Sequence, residues 1–250
     1  MPRRLLLLLL VGCVVAAAAL QADEDVRGAT KSLARRLRLA PHLTLEERLA
    51  EVGPRSRARW SARFAAAGAP RPPGRVVLLA LKEERRLEVY AGPRDAPDAA
   101  LRLAARFAVR GASGGPGPKS RSGDRQLPEG VYACEGLNPN SIRHVSLRVG
   151  YPNAEDRAAA ADAGVSRLGG DVMIHGGSGS IGCLAVGDEA AEDLFTLAAD
   201  VGVGAVEIVI APCDLRVRDA PPLPADAPPR TADLWRTLRL RMASLGAVAA

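Results

Sequence analysis

The sequence has few aromatic residues, few histidines and few cysteines. Among its 250 residues, aromatic side chains make up 3%, too few to form the stacking platforms on which single-stranded nucleic acids bind. Three histidines and four cysteines lack the CxxC or HExxH spacing of common zinc sites. A metal held by His175, Cys183 and Cys213 is a weak alternative, and we expect neither a metal nor a cofactor.

The charge distribution and the hydrophobic runs further restrict the kinds of protein and of partner that this sequence allows. The formal net charge is +6, with charges of both signs mixed along the chain and arginine as the main basic residue. An arginine-rich surface suits partners that carry carboxylates better than it suits nucleic acid, which we do not expect as a partner. The one long apolar run, residues 5–20, follows two arginines and is shorter than the roughly 20 residues that span a bilayer.

This N-terminal pattern predicts a signal peptide over residues 1–22, with cleavage after a small residue near Ala19 or Ala22. The expected location is therefore the periplasm or cell envelope. Residues 10–13 also resemble a lipobox, so a lipid anchor on Cys13 is the minority interpretation. If Cys13 leaves with the signal, three cysteines remain, and this odd number suggests one free reactive thiol, best assigned to Cys183. The other two, Cys134 and Cys213, either form a disulfide or are two buried thiols.

The remaining chain divides by composition into three parts. Residues 23–72 read as a helical N-terminal segment and a proline-rich linker, with a capping-box-like helix start at Thr44. Residues 73–213 form the predicted catalytic domain, and residues 214–250 a proline-rich tail with a terminal helix. Apolar runs and alternation predict a mainly β (α+β) fold, with strands at 76–81, 87–90, 103–110, 130–134, 145–149, 172–175 and 206–210 and a helix at 189–201 capped by Asp188.

The most informative segment joins His175 to Cys183 through a loop with four glycines. A thiolate is a strong nucleophile, and an imidazole within reach can generate it. Glycines allow backbone N–H groups to approach a reacting carbonyl closely and to stabilise its oxyanion. The segment therefore predicts cysteine-dependent acyl transfer.

Four stretches in order, residues 82–90, 113–132, 150–158 and 175–183, resemble the catalytic domain of the L,D-transpeptidase (YkuD-like) family, most closely its YafK-type murein branch. The resemblance implies a β-sandwich with helical additions at both ends, acting as a monomer on peptidoglycan stem peptides. It makes Cys183 the nucleophile and His175 the general base, with N–H groups of Gly182, Cys183 and Ile181 as the oxyanion hole. Cys183 would form a thioester that passes to an amine, to water or to a wall-attached lipoprotein.

The segment departs from the wider family around the nucleophile. The His-to-Cys spacing is shorter than usual, the common second histidine is replaced by Ile181, and the usual arginine or asparagine after the cysteine is replaced by Ala185. The usual contact to the substrate carboxylate is therefore missing, and Arg157, Asn153 or Lys119 are the candidates to supply it. The candidates for substrate contacts are Arg157, Asn153, Ser180, His144 and Lys119. A hydrolase that releases peptide or lipoprotein from the wall, or a wall-binding module without catalysis, are the alternatives to a transferase.

Overall fold

The computed structural model describes residues 42–245. The predicted signal peptide, the lipobox with Cys13 and the first predicted helical residues lie outside this range. Within it there are four α-helices and two short 3-10 turns. The helices are α1 (Leu45–Ala67), α2 (Ala154–Asp162), α3 (Asp188–Val201) and α4 (Thr231–Ser244), and the turns are Asp98–Ala100 and Val203–Ala205. Over these residues no helix is both long and apolar enough to cross a bilayer.

The strands form one mixed sheet in the order β3-β2-β1-β9-β5-β6-β7-β8-β4. Their bounds are β1 Arg75–Leu81, β2 Arg86–Gly92, β3 Arg102–Ala108, β4 Gly111–Ala112, β5 Gly130–Asn138, β6 Ser146–Val149, β7 Met173–His175, β8 Leu184–Ala185 and β9 Val206–Ala211. The predicted α+β class is confirmed, with helices before and after the strands. All seven predicted strands are present, whereas β4, β8 and α2 were not predicted.

Strand β5 joins two halves of the sheet, because its first residues pair with β9 and its later ones with β6. Side chains from both halves meet in one hydrophobic cluster with α3, including Leu78, Ile208, Leu147, Ile174, Leu184 and Phe195. The opposite face of β1 and β9 is covered by α4, which contributes Trp235, Leu238 and Met242 to a second cluster. The sheet therefore curls around one core, and the C-terminal helix covers its opposite face.

Helix α1 begins as predicted. The Thr44 side chain accepts a hydrogen bond from the Glu47 N–H, and the Glu47 carboxylate accepts one from the Thr44 N–H, which together make a capping box. Trp60 and Phe64, on the buried face of α1, stack with ring centroids 5.1 Å apart and belong to the main cluster. Helix α1 is therefore packed into the same core as the strands.

The structure decides two predictions, the disulfide between Cys134 and Cys213 and the N-cap of α3. Cys134 and Cys213 are free buried thiols, and they lie in different clusters, so the disulfide alternative is wrong. The predicted cap of α3 is also wrong: Gly187, with φ of 84°, is the N-cap and Asp188 is the first helical residue. The Asp188 carboxylate is instead turned towards the glycine loop, where it accepts a hydrogen bond from the Gly177 N–H at 3.0 Å.

Candidate active site

His175 is the last residue of β7, and Cys183 directly precedes β8, the parallel neighbour of β7. The register of β7 and β8 pairs Ile174 with Leu184 and His175 with Ala185. Ile174 and Leu184 point into the core, so strand alternation turns His175 to the other face, and the same alternation carried one residue before β8 turns Cys183 there too. Strand spacing of about 4.8 Å and a rise of about 3.3 Å per residue place the two Cα atoms about 8 Å apart on a diagonal. At that separation the two side chains can meet.

The His175 ring is oriented by its own loop. Its Nδ1 lies 2.7 Å from the Gly176 carbonyl oxygen, which can only accept, so Nδ1 carries the proton and donates it. This leaves Nε2 of the neutral ring unprotonated. Burial lowers the pKa of His175, and the nearby positive charge of Arg143 adds to this, against the hydrogen bond to Gly176 and the charge of Asp188. His175 is therefore a neutral base at pH 7.

The Cys183 thiol is half-buried and points its hydrogen towards the Asp171 carbonyl oxygen at 3.7 Å. Burial raises the pKa of Cys183, while the backbone at Met173 and the positive charges of Arg143 and Lys119 oppose that rise. The resting side chain is therefore a thiol, and a base must remove its proton before or during attack on a carbonyl.

Serine hydroxyls accept hydrogen bonds from the two backbone amides next to the thiol. The Gly182 N–H donates to Ser113 Oγ at 2.5 Å, and the Cys183 N–H donates to Ser180 Oγ at 3.0 Å. The Ser180 hydroxyl donates in turn to the Cys183 carbonyl at 2.6 Å. Gly182 has φ of 84°, in the left-handed region that favours glycine. A substrate oxyanion would have to replace these hydroxyls as the acceptor for the two amides.

The glycine loop is tightly packed where it leaves His175. A Cβ on Gly176 would lie 2.4 Å from Asp188 Oδ1 and 2.7 Å from the Arg143 carbonyl oxygen, so no larger residue fits there without a shift of backbone. The loop is thus fixed between the start of α3 on one side and residues 141–144 on the other.

No family model matches the chain. Two proteins from Escherichia coli, strains K12 and O157:H7, both named "Putative L,D-transpeptidase YafK", are each 34% identical to it over 150 residues, or 58% of this chain. The chain resembles the YafK-type L,D-transpeptidases. The resemblance predicted from the motifs is therefore confirmed, although the match spans only 56% of the length of these relatives.

Solved structures give weaker likenesses. The helical cell shape determining protein Pgp2 from Campylobacter jejuni superposes with a TM-score of 0.41 at 22% identity, over 56% of this chain and 48% of Pgp2. L,D-transpeptidase 1 from Mycobacterium tuberculosis superposes with a TM-score of 0.31 at 13% identity, over 55% of this chain and 62% of that protein.

Of the residues expected to contact an L,D-transpeptidase substrate, Ser180 lies against Cys183, whereas Asn153 and Lys119 are engaged in holding the fold. Asn153 caps α2, accepting from the Asp156 N–H at 2.9 Å, and its amide donates to the Val131 carbonyl at 3.1 Å. Lys119 donates to Asp124 at 2.6 Å, and its side chain is only 8% exposed. Asn153 and Lys119 also line a cavity of about 260 Å³ that neither His175 nor Cys183 borders.

Arg157 and His144 likewise have partners within the protein. The exposed Arg157 guanidinium donates to the Pro152 carbonyl oxygen at the start of α2. The His144 ring is buried, and its Nε2 lies 2.7 Å from Glu192 Oε1. Substrate contacts by these residues stay predictions.

Sequence reasoning missed four residues that shape the site: Ser113, Asp171, Asp188 in its observed role, and Arg143. The Arg143 guanidinium lies over the glycine loop, with both terminal nitrogens 3.4 Å from where a Cβ on Gly179 would be. Asp171 and Asp188 flank the His–Cys segment in the sequence but belong to no motif, whereas strand pairing brings Ser113 and Arg143 there from distant parts of the chain. Over residues 42–245, no cluster of three or more His, Cys, Asp or Glu side chains is arranged to hold a metal ion.

Proposed function

We propose that this chain is an exported cysteine acyltransferase, an L,D-transpeptidase that acts on peptidoglycan stem peptides. The proposal is supported chiefly by the pairing of β7 with β8, in which His175 lies opposite Ala185, two residues after Cys183, and by the hydrogen bond from Nδ1 that leaves Nε2 of His175 unprotonated. A base, a nucleophile and adjacent backbone amides are the three parts that acyl transfer requires. The sequence similarity to proteins named as L,D-transpeptidases supports the same reaction class.

The reaction follows from these parts. Cys183 Sγ attacks the carbonyl carbon of the third stem residue while its proton passes to His175 Nε2. The carbonyl oxygen becomes an oxyanion, held by the N–H groups of Gly182 and Cys183 after it has displaced the serine hydroxyls. When the tetrahedral intermediate collapses, His175 returns the proton to the departing amine of the terminal D-alanine. The acyl group remains as a thioester on Cys183.

In the second half of the reaction, the acyl group moves from Cys183 to an acceptor. An acceptor amine loses a proton to His175 Nε2 and attacks the thioester, which forms an amide. His175 gives the proton to the departing Cys183 Sγ, and the thiol is regenerated. A stem-peptide amine gives a cross-link, and a lipoprotein amine gives attachment to the wall. Water in place of the amine would make the protein a hydrolase, with the same residues in the same roles.

A product assay tests the proposal. The full chain is incubated with a disaccharide tetrapeptide, with and without an added amine, and free D-alanine and peptide products are measured by mass spectrometry. The wild type is expected to release D-alanine, and Cys183→Ala to release none, while the matched variant Cys134→Ala retains the activity because Cys134 is buried elsewhere. A tripeptide product in the presence of amine would favour the hydrolase. No release by the wild type would contradict both enzymes and leave a wall-binding module.

A further inference from the structure

Arg143 is held at the base of the glycine loop by its backbone. Its N–H donates to Ser141 Oγ at 3.2 Å, and its carbonyl oxygen packs against Gly176, beside the ring of the catalytic base. The next residue, His144, has φ of 81° and a buried side chain, which fixes the chain direction at this point. The backbone of Arg143 is therefore fixed, whereas its side chain is exposed.

The Arg143 side chain returns over the loop towards the reacting residues. Its guanidinium lies beside Gly179, four residues before the nucleophile, with both terminal nitrogens 3.4 Å from where a Cβ would be, which is ordinary van der Waals contact. Its positive charge acts to lower the pKa of both His175 and Cys183. Across residues 42–245, the guanidinium has no carboxylate or carbonyl oxygen within bonding distance, unlike the arginines paired with acids elsewhere, such as Arg57 with Asp200 and Arg216 with Glu88.

The residues around the Arg143 guanidinium are suited to binding the C-terminal end of a peptide. Ile181, directly before Gly182, is 76% exposed, and Ile142, directly before Arg143, is 49% exposed. The rim of the site therefore combines two apolar side chains with a planar guanidinium, which can bind both oxygens of a carboxylate. Lys119, the other cation whose charge acts on Cys183, is already paired with Asp124.

We propose that Arg143 binds the α-carboxylate of the residue that leaves during acyl transfer, and so restricts the site to peptides with a free C-terminal carboxylate one residue beyond the bond that is broken. This assignment rests on the proposed function, since it names the leaving group of that reaction. It makes Arg143 a specificity-determining residue that contacts the substrate.

Equilibrium binding to the full chain with Cys183→Ala tests the assignment without turnover. Two ligands are compared by calorimetry: a stem tetrapeptide with a free C-terminal carboxylate and the same peptide as a C-terminal amide. A charge-assisted bidentate contact predicts about 10- to 100-fold tighter binding of the carboxylate form. Adding Arg143→Met is expected to remove that difference, and Arg143→Lys to keep part of it. The matched control Arg102→Met, on an exposed residue of the edge strand β3, is expected to keep it all.

The outcomes separate this assignment from the proposed function. An undiminished preference for the carboxylate in Arg143→Met, or no preference in the parent protein, would overturn the assignment, even if the wild type releases D-alanine. An Arg143-dependent preference in a wild-type protein that releases no D-alanine would support the carboxylate site and contradict the transferase. Because the Arg143 side chain is exposed, thermal unfolding of Arg143→Met is expected to match that of its parent.

Discussion

At the scale of single residues, both members of the proposed reacting pair, Cys183 and His175, are neutral at rest. Burial raises the pKa of Cys183 and lowers that of His175, and both shifts work against a thiolate–imidazolium pair. The proposed catalysis then depends on proton transfer from Sγ to Nε2 as the carbonyl is attacked. This differs from cysteine enzymes in which a thiolate is formed before the substrate arrives.

The pH dependence of kcat/KM follows from this neutral pair. Protonated His175 cannot accept the thiol proton, so activity is expected to fall as the pH drops through the pKa of His175, which lies below its ordinary value of 6.5. The raised pKa of Cys183 predicts a plateau above this limb, through neutral pH. The measurement is kcat/KM for D-alanine release between pH 4.5 and 9. A rise in activity only above about pH 8 would instead show that a pre-formed thiolate is required.

The sequence suggested His175 and Cys183 as a candidate reacting pair but did not point to the residues around them. His175 and Cys183 could be found because a short loop joins them, so their proximity is local. Ser113 is 69 residues from Gly182 along the chain and meets it only because β4 pairs with β8. Charge and loop position suggested Lys119, yet its carboxylate partner, Asp124, cannot be recognised from spacing alone.

At the scale of elements, the site depends on strands that are short but enclosed. β7 and β8 have three and two residues, and they are held by β6 on one side and β4 on the other. Strands this short carry no readable alternation, which is why β4 and β8 could not be predicted, whereas the apolar runs of β1 and β9 could. Helix α2 was also missed, since among its nine residues only Ala160 is buried and no apolar stripe forms.

A buried ion pair ties the C-terminal helix to the sheet. Lys82 Nζ lies 2.9 Å from Glu129 Oε1, and the second oxygen of Glu129 accepts from the Trp235 indole on α4 at 2.6 Å. Burial lowers the pKa of Lys82, and Glu129 opposes that shift. The two charges are thus enclosed between β1, β5 and α4.

Removing the lysine of this pair is expected to destabilise the protein strongly. Lys82→Met leaves the Glu129 carboxylate buried without its counter-ion, at a cost of about 3–5 kcal/mol in the free energy of unfolding. Urea unfolding followed by circular dichroism measures it. The control, Arg236→Met, breaks an exposed pair with Asp233 on α4 and should cost under about 1 kcal/mol. Equal losses in both variants would contradict the role assigned to the buried pair.

At the scale of the whole molecule, the N-terminal helix and the strands share one core. Trp60 is 3% exposed, and its indole donates to the Asp193 carbonyl on α3 at 2.8 Å. Arg59 and Arg63 both pair with the fully buried Asp193 carboxylate. The change in composition near residue 72 marks where helix gives way to strand, and the division into separate domains there stays a prediction.

Truncation of Trp60 measures how far α1 supports the rest. Trp60→Ala removes a buried ring from the main cluster and is expected to cost about 3–5 kcal/mol in the free energy of unfolding, measured in urea. Leu45→Ala, at the 41% exposed first residue of the same helix, should change stability little. A loss below about 1 kcal/mol for Trp60→Ala would show that α1 is an addition that the catalytic core does not need.

The central claim, that Cys183 forms a thioester, is tested most directly by the mass of the intact chain. Wild type and Cys183→Ala are each mixed with the disaccharide tetrapeptide and stopped in acid within seconds. We predict that the wild-type mass rises by that of the peptide acyl group without its terminal D-alanine, and that Cys183→Ala stays unmodified. An adduct of equal amount on both proteins, or none on the wild type, would contradict the assignment of Cys183 as the nucleophile.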